Sequence, residues 1–275
     1  MQNGIDCFLV DIDGPVTGAF ANVKPKAVLE FMKKANEGHK VFFVSGRSID
    51  WVQKNLLPVI NSFEAKFPNA VNNISFVGEH GLVTARISGG KLIREINRRI
   101  SVPKNIMEKV RRQVKLIPGV FYDKTKQAVV TIEAIHEIKR KNPVLVEQGL
   151  KKTEKLMREI SLKHKGFHVV RSLYAVDLLP FAVSKAFAAD QALGMLGPQR
   201  RRVRFYRLFG DSPSDLRMIE PLRKRKLSYE FYFVGDKSKI KTEKMKEIKR
   251  IHLTKRKLFE GTIEAFREFR KRRLS

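Results

Sequence analysis

Short apolar runs that stop at acidic or small residues, each followed by an amphipathic helical pattern, constrain this chain more than any other feature. "CFLV" (7–10) runs straight into Asp11-Ile12-Asp13-Gly14, and "KVFFV" (40–44) into Ser45-Gly46-Arg47. Between them, "KPKAVLEFMKKANEGH" (24–39) places apolar residues at helical spacing and stops at Gly38. Strands that are apolar on both faces belong inside a parallel sheet covered by helices, because a half-exposed strand would alternate. A helix over "SIDWVQKNLLPVI" (48–60) and a strand around "NISFVGEHG" (73–81) continue the pattern. It returns near the end of the chain with a helix "SKAFAADQALGML" (184–196), a strand "FYRLFG" (205–210) and a helix from "SPSDLRMIE" (212–220). A strand "YEFYFVG" (229–235) and a closing helix "FEGTIEAFREFRK" (259–271) complete it.

The middle of the chain follows another rule. "VTARISGGKLIREI" (83–96), a helix over 103–117, strands "VFYDKT" (120–125) and "QAVVTIEAI" (127–135), a long helix over 142–164, and strands "FHVVRS" (167–172) and "AVDLLP" (175–180) follow one another. Strands separated by turns such as "DKTKQ" predict antiparallel pairing with helices on one face. The expected fold is therefore α/β: a Rossmann-like parallel-sheet core, residues 1–84 and 181–275, with helices on both faces. An inserted α+β domain, 85–180, interrupts it. At 275 residues there is enough chain for both.

In an open parallel sheet the loops at the carboxyl ends of the strands build the site. Those loops carry Asp11 and Asp13, then Ser45, Gly46 and Arg47, then Lys185 at the start of the returning helix, then Asp211 and Asp215 in "GDSPSD". Carboxylates, a hydroxyl and a lysine at one edge suit a divalent cation and a phosphate group together. Asp11 is placed to attack phosphorus, dividing hydrolysis into two easier steps. Asp13, beyond the turn, is placed to protonate the leaving oxygen and then activate water. Asp11, Asp211 and a carbonyl near Asp13 are the hard oxygen donors that Mg2+ prefers. Ser45 and Lys185 can hold a phosphoryl oxygen, Gly46 lets backbone N–H groups approach it, and Asp215 with Ser212 can orient the lysine and metal-bound waters.

These same segments carry a family resemblance. "DIDGPVT" (11–17), "VFFVSGR" (41–47), "SKAFAADQAL" (184–193) and "FGDSPSDLRMIE" (209–220) resemble, in order, the four motifs of the haloacid dehalogenase superfamily of phosphatases. The insertion between the second and third motifs is similar to the cap of the type IIB members. "FVGEHG", "VDLLP" and "GTIEAFREF" resemble the trehalose-phosphate phosphatase branch. The resemblance implies Asp11 as nucleophile, Asp13 as acid and base, and Ser45, Gly46 and Lys185 as phosphate ligands. It implies Mg2+ held by Asp11, Asp13 through its carbonyl, and Asp211, with Asp215 in support. Arg47, Glu79 and His80 are the candidate substrate contacts. Pro15 departs from the family's usual Thr or Val; it removes an N–H and restricts Gly14. The fourth motif also lacks the branch's Thr-Asp-Glu ending.

Other residues have plainer readings. Trp51, at helical spacing with Leu56, is expected in the core, and Cys7 is expected to be a small buried hydrophobe. His39, His136, His164, His168 and His252 form no metal spacing. Tyr122, Asp123, Lys124, Glu133, Arg171 and Asp177 fit either a sugar-binding face or a solvated sheet face.

Charge keeps a second class of function open. Lys plus Arg number 56 against 28 Asp plus Glu, a net +28, with basic runs at 199–207, 222–227, 237–257 and 267–275. Such an excess gives nonspecific nucleic-acid affinity that weakens steeply with salt. Three readings stand: a Mg2+-dependent phosphomonoesterase acting on a small phosphorylated metabolite, such as the sugar phosphate trehalose 6-phosphate; a phosphomutase using the same aspartates; and a nucleic-acid-binding protein on a phosphatase-like scaffold. No apolar run reaches the ~20 residues of a membrane span, and "MQNGIDCFLV" lacks the layout of a secretory signal. The chain is expected to be cytoplasmic.

Overall fold

The computed structural model describes residues 4–18, 22–240 and 250–274, the last four of these by backbone alone. Residues 241–249 of the lysine-rich run at 237–257, and the side chains of 271–275 in the basic tail, lie outside the described residues. The chain divides into two compact units, residues 1–95 with 184–275, and residues 96–183.

The first unit is built on an eight-stranded sheet in the order β12-β11-β10-β1-β2-β3-β4-β5. Its strands are β1 (Ile5–Asp11), β2 (Lys40–Val44), β3 (Ile74–Gly78), β4 (Val83–Ser88), β5 (Lys91–Ile96), β10 (Val203–Gly210), β11 (Tyr229–Phe233) and β12 (Ile251–Leu253). β1 lies between β10 and β2, parallel to both, with Leu9 opposite Leu208 on one side and Phe42 on the other. The apolar runs are buried on both faces, as their lack of alternation requires.

Alternate residues of each strand serve different layers. Phe8, Phe43 and Phe209 meet Phe31 of helix α1 (Pro25–Asn36) or Phe266 of the closing helix (Leu258–Leu274), and Tyr232 meets Phe269 of that same helix. The Phe31–Phe266 rings sit edge to face at 5.0 Å, an orientation that aromatic quadrupoles favour. Cys7, Leu9, Val44, Leu208 and Phe231 face the other way, onto Ala188, Ala189, Ala192 and Leu193 of the helix Lys185–Met195. Alanines there let that helix lie close to the sheet.

Two local features differ from expectation. The hairpin 83–96, expected in the insertion, extends the large sheet instead: β4 pairs antiparallel with β3, placing Ala85 opposite Phe76, and β5 forms the edge. The division into units accordingly falls at 95/96 rather than 84/85. Val83 and Ala85 are buried while β5 alternates exposed and half-buried residues, so the pattern of an edge ribbon is present in the sequence. The helix expected over 48–60 is interrupted by a π turn, Val52–Leu56, because Pro58 has no N–H to complete the α ladder.

The second unit carries an antiparallel sheet in the order β6-β7-β9-β8, from Val120–Tyr122, Val130–Ala134, Phe167–Arg171 and Ala175–Pro180. Two helices, Lys104–Val114 and Pro143–Lys163, pack on it through a core that includes Ile106, Val110, Ile132, Met157 and Val176. This is the α+β arrangement expected for the insertion.

Candidate active site

The site begins where β1 runs out. Asp11 is its last residue and is 5% exposed. The chain then turns sharply: the N–H groups of Val16 and Thr17 both reach the carbonyl of Ile12, and the Gly14 N–H donates to Thr17 Oγ1 at 3.1 Å. Gly14 sits at φ +90°, and a Cβ there would lie 2.5 Å from the Asp211 carboxyl carbon. Glycine is therefore required both for the conformation and for the approach of the fourth segment. Pro15 is accommodated, since its carbonyl is used rather than its missing N–H: it accepts from Thr262 Oγ1 at 2.9 Å.

Four separated segments converge here. Ser184 caps the returning helix by accepting from the Phe187 N–H, which fixes Lys185 at the first helical position. Lys185 Nζ lies 2.7 Å from Asp11 Oδ1 and 2.9 Å from Asp215 Oδ1. Asp215 is fully buried, and its Oδ2 accepts from the N–H groups of Asp211 and Ser212 and from the Ser212 hydroxyl, at 3.2, 3.0 and 2.7 Å. Its Oδ2 is thus occupied in shaping the loop, while its Oδ1 faces the lysine. Asp11 Oδ1 also accepts from the Ile12 N–H at 2.9 Å, leaving Oδ2 without a hydrogen bond among the described residues.

Electrostatics follow from this crowding. Burial, then the neighbouring Asp215, Asp13 and Asp211, raise the Asp11 carboxyl well above its ordinary range despite Lys185. Burial and Asp215 push Asp211 up to about 6. Burial works against the Lys185 ammonium, but Asp11 and Asp215 outweigh it and hold it above its ordinary value. The carboxylates outnumber their cation. Asp11, Asp211 and Asp215 each bring an oxygen within 4.8 Å of the others, a donor set that fits a hard divalent cation such as Mg2+.

The remaining candidates form a second cluster beside the first. Ser45 is buried, and its Oγ accepts from the Arg47 N–H at 3.1 Å, leaving its own proton to give. The Arg47 guanidinium grips Asp13 through Nε (3.1 and 3.2 Å) and Nη2 (2.8 Å), and lies 4.7 Å from the Trp51 ring centroid. The segment at Glu79 and His80 is tied to the same loop, with the Glu79 N–H on the Arg47 carbonyl and the His80 N–H on the Ser45 carbonyl. A Cβ on Gly46 would meet the His80 ring at 2.7 Å. Glu79 and His80 both have positive φ, at 48° and 56°, a conformation that non-glycine residues hold only under strain.

One residue sits differently from the sequence reading, and three that it left open find partners. Trp51 is half-buried and carries Arg47, rather than lying in the core beside the buried Leu56. Arg47 binds an acid of the site itself, through an ion pair spanning 34 residues that no local spacing announces. In the second unit, Arg171 is engaged by Glu147 and Glu154 of the long helix, while Asp177 accepts from Thr131 Oγ1 at 2.6 Å. Cys7 is fully buried, and burial raises its thiol far from reactivity. Among the described residues, no histidine joins a cluster able to hold a metal, and no helix is long and apolar enough to cross a membrane.

No protein-family model matches the sequence, and no curated protein matches it. Solved structures do. The C-terminal domain of C. albicans trehalose-6-phosphate phosphatase is 17% identical, with a TM-score of 0.65 over 96% of this chain and 91% of that one. A haloacid dehalogenase-like hydrolase from Bacteroides thetaiotaomicron is 15% identical, TM-score 0.62, over 96% and 99%. Sucrose-phosphatase from Synechocystis sp., solved with sucrose and phosphate, is 13% identical, TM-score 0.55, over 97% and 98%. At these identities the likeness is one of architecture, and the chain has the fold of the haloacid dehalogenase-like phosphatases.

Proposed function

We propose that this protein is a phosphomonoesterase that uses Mg2+ and hydrolyses a small phosphorylated metabolite, a sugar phosphate of the trehalose 6-phosphate kind, through an aspartyl phosphate. The observation that carries this reading is the buried Asp11, held on one oxygen by Lys185 and open on the other. Asp11, Asp211 and the Asp13 carbonyl would hold the cation. When bound, it neutralises the repulsion between a carboxylate and a phosphate dianion.

The chain's own groups then account for two steps. The open oxygen of Asp11 forms a bond to phosphorus as the ester oxygen leaves, and Asp13, protonated once it has left the fork of Arg47, gives that oxygen its proton. Asp13, now a carboxylate, takes a proton from water, whose oxygen attacks phosphorus and releases Asp11 and inorganic phosphate. Lys185 and the Ser45 hydroxyl stay fixed on the phosphoryl oxygens, so charge developing there meets dipoles already in place. The insertion, 96–183, supplies substrate selectivity in this reading, and the fold it shares with trehalose-6-phosphate phosphatase and sucrose-phosphatase supports a sugar substrate.

The test is phosphate release from a panel of sugar phosphates and p-nitrophenyl phosphate, with Mg2+ and with chelator, for the wild type and Asp11→Asn. The expected result is Mg2+-dependent release that falls by roughly 10^4-fold or more in the variant. Release that survives the substitution would remove Asp11 from the mechanism. Isomerised sugar phosphate without free phosphate would identify a mutase instead.

A further inference from the structure

Opposite the candidate catalytic carboxylates, at the other end of the same strands, the first unit carries a concentrated positive edge. β1, β10, β11 and β12 run parallel. Asp11 and Asp211 therefore stand at their carboxyl ends, and the segments that enter β10, β11 and β12 stand together at the other. β10 runs from Val203 to Gly210, which at about 3.3 Å per residue sets the two ends roughly 23 Å apart.

Two short segments build this edge. The 3-10 helix Gly197–Arg202 leads into β10 and ends in Arg200, Arg201 and Arg202. The helix Glu220–Lys224 and the turn after it lead into β11 with Arg223, Lys224, Arg225 and Lys226. The Tyr206 N–H donates to the Ser228 carbonyl at 2.9 Å and joins the two entrances. Arg250, also exposed, precedes β12 beside them, its carbonyl accepting from the Phe231 N–H at 2.9 Å. Neither 197–204 nor 221–228 contains an Asp or a Glu.

Cations at a helix end ordinarily serve its last carbonyls. Arg225 does so: its Nη1 donates to the Pro221 carbonyl at 3.1 Å, and its Nη2 pairs with Asp190 at 2.6 Å. Arg200, Arg201, Arg202, Arg223, Lys224 and Lys226 are exposed and have no ion pair among the described residues. Like charges gathered without a counter-charge repel one another, and a polyanion relieves that repulsion. Lys226 adds a local observation. It closes its helix at φ +54°, with its N–H on the Arg223 carbonyl and the Leu227 N–H on the Leu222 carbonyl. Glycine is the usual occupant of that conformation, and this chain has a cation there.

We propose that this edge is a docking surface for double-stranded DNA, held by its phosphates without regard to sequence. Four of the six unpaired cations are arginines, whose planar fork meets two oxygens of one phosphate. The large apolar side chains here, Val203, Phe205, Leu222, Leu227 and Tyr229, are buried or half-buried, and Phe205 lies under the guanidinium groups of Arg204 and Arg207. The face therefore offers no apolar wedge to a bilayer and no open aromatic platform to unstacked bases. A duplex needs neither, since its bases are stacked inside it. Gln199 and Ser228 are the exposed neutral polar side chains of these segments, too few to read base edges or the 2′-hydroxyls of RNA. Bound DNA is a tether and not the substrate, because the edge and the carboxylates lie at opposite ends of the strands.

The experiment follows the anisotropy of a fluorescein-labelled DNA duplex of about 24 base pairs as full-length protein is added, at salt from about 50 to 200 mM. Binding is expected to weaken with a log–log slope of about −4 to −5, from roughly five phosphates at about 0.9 each. A duplex of unrelated sequence should bind within about threefold, and a single strand of the same length at least threefold more weakly. Arg201→Glu with Lys224→Glu should weaken binding at least tenfold and reduce the slope by about 2. Lys152→Glu with Lys155→Glu, exposed on the helix Pro143–Lys163, makes the same change in net charge and should alter affinity less than threefold. All four positions are at the surface, and unchanged melting temperatures verify that both variants fold. Four outcomes overturn the proposal: no binding at the lowest salt, equal losses in the two double variants, a single strand that binds as tightly as the duplex, or tighter binding to phosphatidylserine vesicles than to DNA. Turnover of saturating sugar phosphate should be unchanged in Arg201→Glu with Lys224→Glu, so the docking surface and the phosphatase reading can each fail alone.

Discussion

Asp13 is engaged before any substrate arrives: its carboxylate sits in the fork of Arg47, which rests on Trp51. In the proposed mechanism Asp13 donates a proton, and such a group matters in proportion to how badly the leaving oxygen needs one. Asp13→Ala should therefore depress turnover of sugar phosphates by about 10^2–10^4-fold. It should depress p-nitrophenyl phosphate far less, because that phenolate leaves without help. Equal losses on both substrates would assign Asp13 to phosphate binding or folding. Asp11, Lys185 and Asp211 were legible as a converging set because each stands where an apolar run or its following loop ends, and a parallel sheet brings such ends to one edge. The Arg47–Asp13 pair and the exposure of Trp51 were not, since both depend on where two loops 34 residues apart meet. An arginine four residues before a tryptophan on a helix start was the one available signal, and it also fits an ordinary surface pair.

At the scale of elements, two loops lock together around Ser45 and Gly46. The carbonyls of Ser45 and Arg47 take the N–H groups of His80 and Glu79, from a stretch with three consecutive positive φ values that ends at Gly81, while the Ser45 N–H donates to the Val77 carbonyl. Nothing in "EHG" except its glycine announces that conformation, so the strain is legible only in the fold. Gly46 is the contact: a methyl group there would sit 2.7 Å from the His80 ring. Gly46→Ala should cost about 1–3 kcal/mol by overpacking. His80→Ala should recover most of it in the double variant, a coupling readable from denaturant midpoints. Additive losses would mean the two loops are not in mutual contact. The hairpin 83–96 teaches a related lesson. Its Gly89-Gly90 turn, with both φ values positive, and its alternation mark two paired strands. Which sheet they extend is decided by the register of β4 on β3, a tertiary fact outside the reach of local pattern.

Over the whole molecule, the chain carries +28 of net charge, while the carboxylates of its candidate site outnumber their cation. The positive field should draw anionic substrates in, so kcat/KM on a dianionic sugar phosphate should fall as ionic strength rises, more steeply than kcat. Stability depends on the site's charge in the opposite sense. In the unfolded chain Asp11 and Asp211 return to an ordinary carboxylate value of 3.8, whereas in the fold both are raised, Asp211 to about 6. Between those values the folded protein binds more protons than the unfolded one, so without metal its stability should decline as pH rises from about 4 through 6 and beyond. A divalent cation held by the same oxygens, as proposed, would reverse that decline by neutralising them, and below pH 5 it would compete with protons for them. The increase in melting temperature given by 10 mM Mg2+, about RT ln(1 + [Mg2+]/Kd) in free energy, should accordingly be large at pH 7.5 and nearly absent at pH 5. Asp211→Asn should flatten the difference at both pH values while raising the melting temperature of the metal-free protein at pH 7.5. A Mg2+ shift of the same size at both pH values, or one that persists in Asp211→Asn, would place the cation somewhere other than among these carboxylates.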